Sequence, residues 1–112
     1  MGSRIPQKFS GQVAATVQAL ETKGACAIRA LTFLNTTLAV AYLQIFNLPA
    51  GSVTLGTTVP VLSIGVPLSA ALVMALPEEG WNMYGDGLSC AGTTTRTGNT
   101  GAALDINIGW GS

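Results

Sequence analysis

Residues 41–68 read AYLQIFNLPAGSVTLGTTVPVLSIGVPL, two apolar runs of strand length on either side of a Gly/Thr-rich connector. In the second run Leu62, Ile64, Val66 and Leu68 share one parity and Ser63, Gly65 and Pro67 the other, which is the period of two of a half-buried strand. Pro67 removes a ladder donor, so the strand is expected to end there or to lie at a sheet edge. In the first run, from Ala39 to Phe46, both parities carry large groups: Leu43 and Ile45 on one side, Tyr42, Gln44 and Phe46 on the other. A strand with that pattern is expected to be covered on both faces.

The same stretch sits inside a longer one, residues 30–77, that contains no charged residue. A membrane-spanning helix needs about 20 consecutive apolar residues. Here Asn35, Gln44, Pro49, Gly56, Pro60 and Pro67 cut the run into strand-sized pieces, and Pro and Gly at that density stop helices. No membrane partner is expected. The opening MGSRIPQKFSGQ lacks the apolar core of a secretory signal, so no targeting segment is assigned.

Further out, the strand pattern recurs. Leu104, Ile106, Ile108 and Trp110 alternate with Asp105, Asn107 and Gly109; Leu72, Met74 and Leu76 are in register over 71–76; and 88–95 reads as another strand. In 25–35, Ile28, Ala30, Thr32 and Leu34 are expected to oppose Arg29, Leu31 and Phe33, with Asn35-Thr36-Thr37 turning the chain as a hairpin into the strand at Ala39. Residues 13–22 fit a short helix or a first strand, and the surrounding pattern selects strand. Pro77-Glu78-Glu79-Gly80 and Gly85-Asp86-Gly87 read as turns. The fold expected is all-β, a single β-sandwich or jelly-roll-like barrel of about seven to eight antiparallel strands over 13–112, preceded by an extended arm at 1–12. Ile5 and Phe9 would anchor that arm against a neighbouring subunit.

Chemistry is sparse. Histidine is absent, which removes the commonest general base and the commonest metal ligand together. The acids Glu21, Glu78, Glu79, Asp86 and Asp105 are scattered or sit in turns, so neither a catalytic carboxylate pair nor a metal site is expected. No phosphate-cradling glycine motif is present, and no cofactor is expected. Cys26 and Cys90 lack clustered metal-ligand spacing and stand either as two buried thiols or as a disulfide. Five basic and five acidic residues cancel, leaving no basic stripe for nucleic acid. An enzyme is the least expected class.

Only 9% of the residues are charged against 48% hydrophobic. Either an ordinary β-domain solvates itself with Thr, Ser and Asn, or much of its surface is covered in an assembly, since obligate interfaces are more apolar than free surface. The second is preferred. Trp81 and Tyr84, in what reads as a loop, GWNMYGDG, are the other interface candidates.

From about Ala41 to the C-terminus, the order of segments resembles small β-rich virion proteins of tailed bacteriophages. The segments are AVAYLQIFN, TLGTTVPVLSI, then GLSCAGTTTRTGNTGA and a final alternating strand, Leu104 to Trp110. The resemblance implies a β-sandwich and a virion structural role, that of a capsid cement or decoration subunit. Such a protein would be assembled in the bacterial host cytoplasm and bound at the capsid surface to the major capsid protein and to copies of itself, as trimers or other oligomers. The other positions such a block would occupy are a tail, baseplate or head-to-tail connector, or a glycan- or receptor-binding fibre module using Trp81 and Tyr84.

Overall fold

The computed structural model describes residues 7–21, 26–74, 76, 81–83 and 87–111. They form nine strands and one short 3-10 turn, Ala50–Ser52, with every pairing antiparallel. The strands are β1 (Gln7–Val13), β2 (Gln18–Glu21), β3 (Cys26–Asn35), β4 (Ala41–Phe46), β5 (Leu62–Val66), β6 (Ala70–Val73), β7 (Trp81–Met83), β8 (Leu88–Thr93) and β9 (Leu104–Gly111). One sheet, here sheet A, runs β1-β9-β3-β6, with β7 also paired to β3; the other, sheet B, runs β2-β8-β4-β5. The all-β sandwich expected from the alternation is the fold.

The core lies between the sheets. β9 contributes Leu104, Ile106, Ile108 and Trp110, all buried, as its period of two requires. Against them stand Leu43 and Ile45 of β4, Leu88 and Cys90 of β8, and Val66 of β5. β3 departs from strict alternation. Ile28 is opposite Trp110 and Ala30 opposite Gly109, so Arg29 is one residue too many for the ladder and forms a bulge. The bulge flips the parity. Ile28, Leu31, Phe33 and Asn35 are buried, while Ala30 and Leu34 turn outward. The expected partition of β3 into Ile28/Ala30/Thr32/Leu34 against Leu31/Phe33 is corrected accordingly.

Three further expectations change. β3 and β4 do not form a hairpin, because both edges of β3 are taken, by β9 on one side and by β6 and β7 on the other, so the chain crosses to sheet B. Trp81 to Met83, read as loop, pairs with β3, Ile28 lying opposite Trp81. Residues 7–12, expected as a separate arm, are a strand on the edge of sheet A in register with β9 from Gln7↔Trp110 to Val13↔Leu104. Their extended character was legible, but seven residues that satisfy an otherwise open edge are held by the ladder itself. The change in burial still falls at residue 13: of β1, only Val13 is buried. Residues 1–6 lie outside the described residues.

The two central strands of sheet B are covered on both faces. On the face away from the core, Gln44, Phe46, Ser89, Ala91 and Thr93 are all buried. The segments after β4 and β8 fold back over them: Ser89 Oγ donates to the Leu48 carbonyl (2.8 Å), Ser63 Oγ to the Arg96 carbonyl (2.7 Å), and Gln44 Nε2 to Thr93 Oγ1 (2.7 Å) and the Gly98 carbonyl (3.1 Å). The Arg96 guanidinium lies 5.5 Å from the centre of the Tyr42 ring, and that ring covers Gly65.

Gly92 is where three segments converge. Its N–H donates to the Ala14 carbonyl (2.9 Å) and its own carbonyl accepts from Ala102 (3.1 Å). A Cβ there would stand 2.4 Å from the Ala102 carbonyl oxygen and 3.1 Å from that of Val13, both backbone atoms that cannot rotate away. Gly92→Ala is therefore expected to cost about 2–4 kcal/mol, read as a lower urea midpoint at unchanged slope.

Candidate functional site

Among the described residues no three His, Cys, Asp or Glu side chains converge as a metal site. Among them, too, no helix is long and apolar enough to cross a membrane. Of the two states open to Cys26 and Cys90, Cys90 is a free thiol, buried on β8 of sheet B, while Cys26 opens β3 of sheet A. Desolvation pushes the Cys90 thiol up to about 12, from 9.0. The folded state thus holds a proton that the unfolded chain releases above pH 9, so stability should fall as pH rises from about 9 to 12. Cys90→Ala should flatten that decline in pH-dependent unfolding, and native Cys90 should resist a thiol reagent at pH 8 until the chain is denatured.

The feature that stands out is an apolar corner. Between β3 and β4 the chain turns at 36–40, and beside it the turn between β5 and β6 brings Leu68 and Ser69, the latter at φ 49. Leu38 is 89% exposed at the tip, with Leu68 at 54%, Leu34 at 42% and Val40 at 40%. Soluble monomers seldom present such a group of large aliphatic side chains together without a use for it.

The corner is rigid because Asn35, itself wholly buried, uses its whole amide there. Asn35 Nδ2 donates to the carbonyls of Ala39 (2.8 Å) and Val66 (3.1 Å), and Oδ1 accepts from the Thr37 N–H (2.9 Å) and Thr37 Oγ1 (2.7 Å). The Ser69 N–H then donates to the Thr37 carbonyl (3.1 Å), tying the second turn to the first. A turn fixed in this way loses little entropy on binding, so its apolar tip is pre-organised for a partner. Burying the exposed parts of Leu38 and Leu68 would contribute about 2–4 kcal/mol before association costs. That is the contribution of a hot spot, and too little by itself to hold a complex.

Of the four interface residues expected from sequence, two fall within the described strands. Ile5 and Tyr84 lie outside the described residues. Phe9 faces inward from β1 and packs against the core, half-buried, which makes it an anchor within the subunit. Trp81 begins β7 at the edge of β3. The corner was not anticipated: Leu38 follows the polar Asn-Thr-Thr, and Val40 at strand spacing makes it read as the lead-in to the next strand.

Asn35→Ala should cost about 2–4 kcal/mol in urea unfolding, because it strands the Val66 carbonyl and frees the turn. Leu38→Ser should leave the midpoint within about 0.5 kcal/mol of the parent, since its side chain touches mainly solvent.

No protein-family model and no curated protein matches the chain. Among solved structures, it is similar to a chain of the Bacillus endospore appendages, a family of disulfide-linked pili, at TM-score 0.40 and 11% identity, over 99% of this chain and 94% of that one. It is also similar to a chain of the cyanophage Pam1 capsid asymmetric unit, at TM-score 0.34 and 12% identity, over 99% and 86% of the two chains. A chain of the T13 IBDV viral particle follows at TM-score 0.34 and 9% identity; there the match covers 98% of this chain and 32% of that one. Likenesses this loose carry no argument about function.

Proposed function

We propose that this chain is a virion structural protein of a tailed bacteriophage, a capsid cement or decoration subunit that stabilises the head by binding the major capsid protein. A small all-β sandwich fits a virion structural protein. The observation that carries the finer reading is the apolar corner, a braced turn presenting Leu38 and Leu68 within a long charge-free part of the chain. A neutral, rigid, apolar tip suits permanent burial at a junction between shell proteins. It offers no charge for steering toward a soluble ligand. The role needs no catalysis, no cofactor and no nucleic acid, and stabilisation follows by mass action, since a subunit that binds only the assembled shell favours that state. One corner binds weakly, so an oligomer that brings two or more to the shell at once gains affinity through effective concentration.

The test is co-sedimentation of the purified chain with empty capsids of the encoding phage, with occupancy read against added chain. The parent should saturate the shells, and Leu38→Asp should lower its affinity by roughly tenfold or more while its urea midpoint stays unchanged. Host polysaccharide should not compete. Equal occupancy by Leu38→Asp, or binding to polysaccharide in place of shells, would reject the cement role; the second result would favour a fibre module.

A further inference from the structure

The two outer faces of the sandwich are unlike. The central strands of sheet B are covered by their own loops, whereas the described residues on the outer face of β1, β9, β3 and β6 are exposed or half-buried. On that face the register lines up three rows. The first joins Lys8, Gly109 and Ala30; the second Ser10, Asn107, Thr32 and Val73; the third Gln12, Asp105, Leu34 and Ala71. Within the middle row the Ser10 hydroxyl donates to Asn107 Oδ1 and Asn107 Nδ2 to Thr32 Oγ1 (3.4 Å), so the row is knitted across three strands.

The first row is a hollow and the third a ridge. Gly109 and Ala30 supply almost no side chain, and the depression they floor has a volume of about 400 Å³, walled by Lys8, Arg29, Thr32 and Asn107. Arg29 reaches this wall because it is the bulged residue of β3. The third row projects Asp105 and Leu34, the latter 42% exposed. Along β9, Gly109 and Asp105 lie about 13 Å apart, equally spaced about Asn107.

We infer that this face is the contact between two copies of the chain, related by a two-fold axis that passes over the Asn107 row at right angles to the strands. Such an axis keeps each strand opposite its own copy and exchanges the first row with the third. Asp105 of the second copy then stands over Gly109, beside Lys8. Leu34 of the second copy stands over Ala30, a knob above a hole, and Val73, 75% exposed, meets its own equivalent. The small floor allows the sheets to approach to the usual stacking distance of about 10 Å, and their twist brings the strands within about 30° of parallel. Opposite charge on opposed rows, present twice in the dimer, selects a second copy over any uncharged partner. A contact carried by a polar middle row and few apolar side chains gives a concentration-dependent dimer, not an obligate one. It leaves the Leu38 tip of each subunit outside the stacked rows.

Sedimentation equilibrium across a concentration series tests this without any shell present. The parent should populate a dimer that weakens as salt is raised. Asp105→Lys should raise the dimer dissociation constant by roughly tenfold or more, through repulsion at two symmetric sites. Adding Lys8→Asp to that chain should restore association. Ala30→Leu, which fills the hole without changing charge, should also dissociate the dimer, and both positions face outward, so thermal midpoints report an intact fold. A parent that stays monomeric, or a dimer that neither Asp105→Lys nor Ala30→Leu disturbs, would overturn the inference. So would a dimer lost in Leu38→Asp but kept in both face variants.

Discussion

Burial of the central strands of sheet B on both faces is the constraint from which the rest follows. β4 and β8 have the core on one side and their own loops on the other, so every polar group between them must find a partner within the chain. Ser89, Thr93 and the amide nitrogen of Gln44 do this by gripping carbonyls of the returning segments, at Leu48, Thr95 and Gly98, as Ser63 of β5 does at Arg96; among the described residues Gln44 Oε1, buried without a partner, is the exception. Those bonds hold two long, Gly/Thr-rich loops as a third layer. Apolar packing alone would position them loosely, because hydrophobic burial has no direction.

Covering the central strands of one sheet leaves the other to meet whatever the protein meets. Sheet A carries the exposed charges Lys8 and Arg29 and the exposed valine of β6, and its junction with sheet B at the β3-to-β4 crossing carries the leucine tip. The crossing exists because β3 is already paired on both sides, and its sharpness depends on one buried amide, Asn35. An apolar tip on a stiff turn and a self-complementary face are compatible surfaces. The face would gather copies, and the tips would then bind together where each alone is weak.

The strand pattern was legible from alternation, and so was the double coverage of β4, since bulky residues at both parities leave no face for water. The corner and the outer face of sheet A were not. Leu38 and Asn35 look like turn residues until β3 is known to lack a free edge, and Asp105, Lys8 and Arg29 are distant in sequence until the ladder of β9 sets them in rows. Phe9 was read as an anchor for a neighbour because its strand partner lies 99 positions away, at Ile108, a pairing that no local pattern encodes.

By itself, then, the sequence determined the elements: where strands run, which parity is apolar, and that charge is scarce, all consequences of side-chain period and composition. Tertiary structure decided what those elements face. The Arg29 bulge reverses the parity of half of β3, the occupied edges of β3 turn an expected hairpin into a crossing between sheets, and the register of β1 and β3 on β9 assembles a surface from three separate parts of the chain. These are outcomes of competition for strand edges. Such competition is settled only when all the strands are present, because each edge can be filled once.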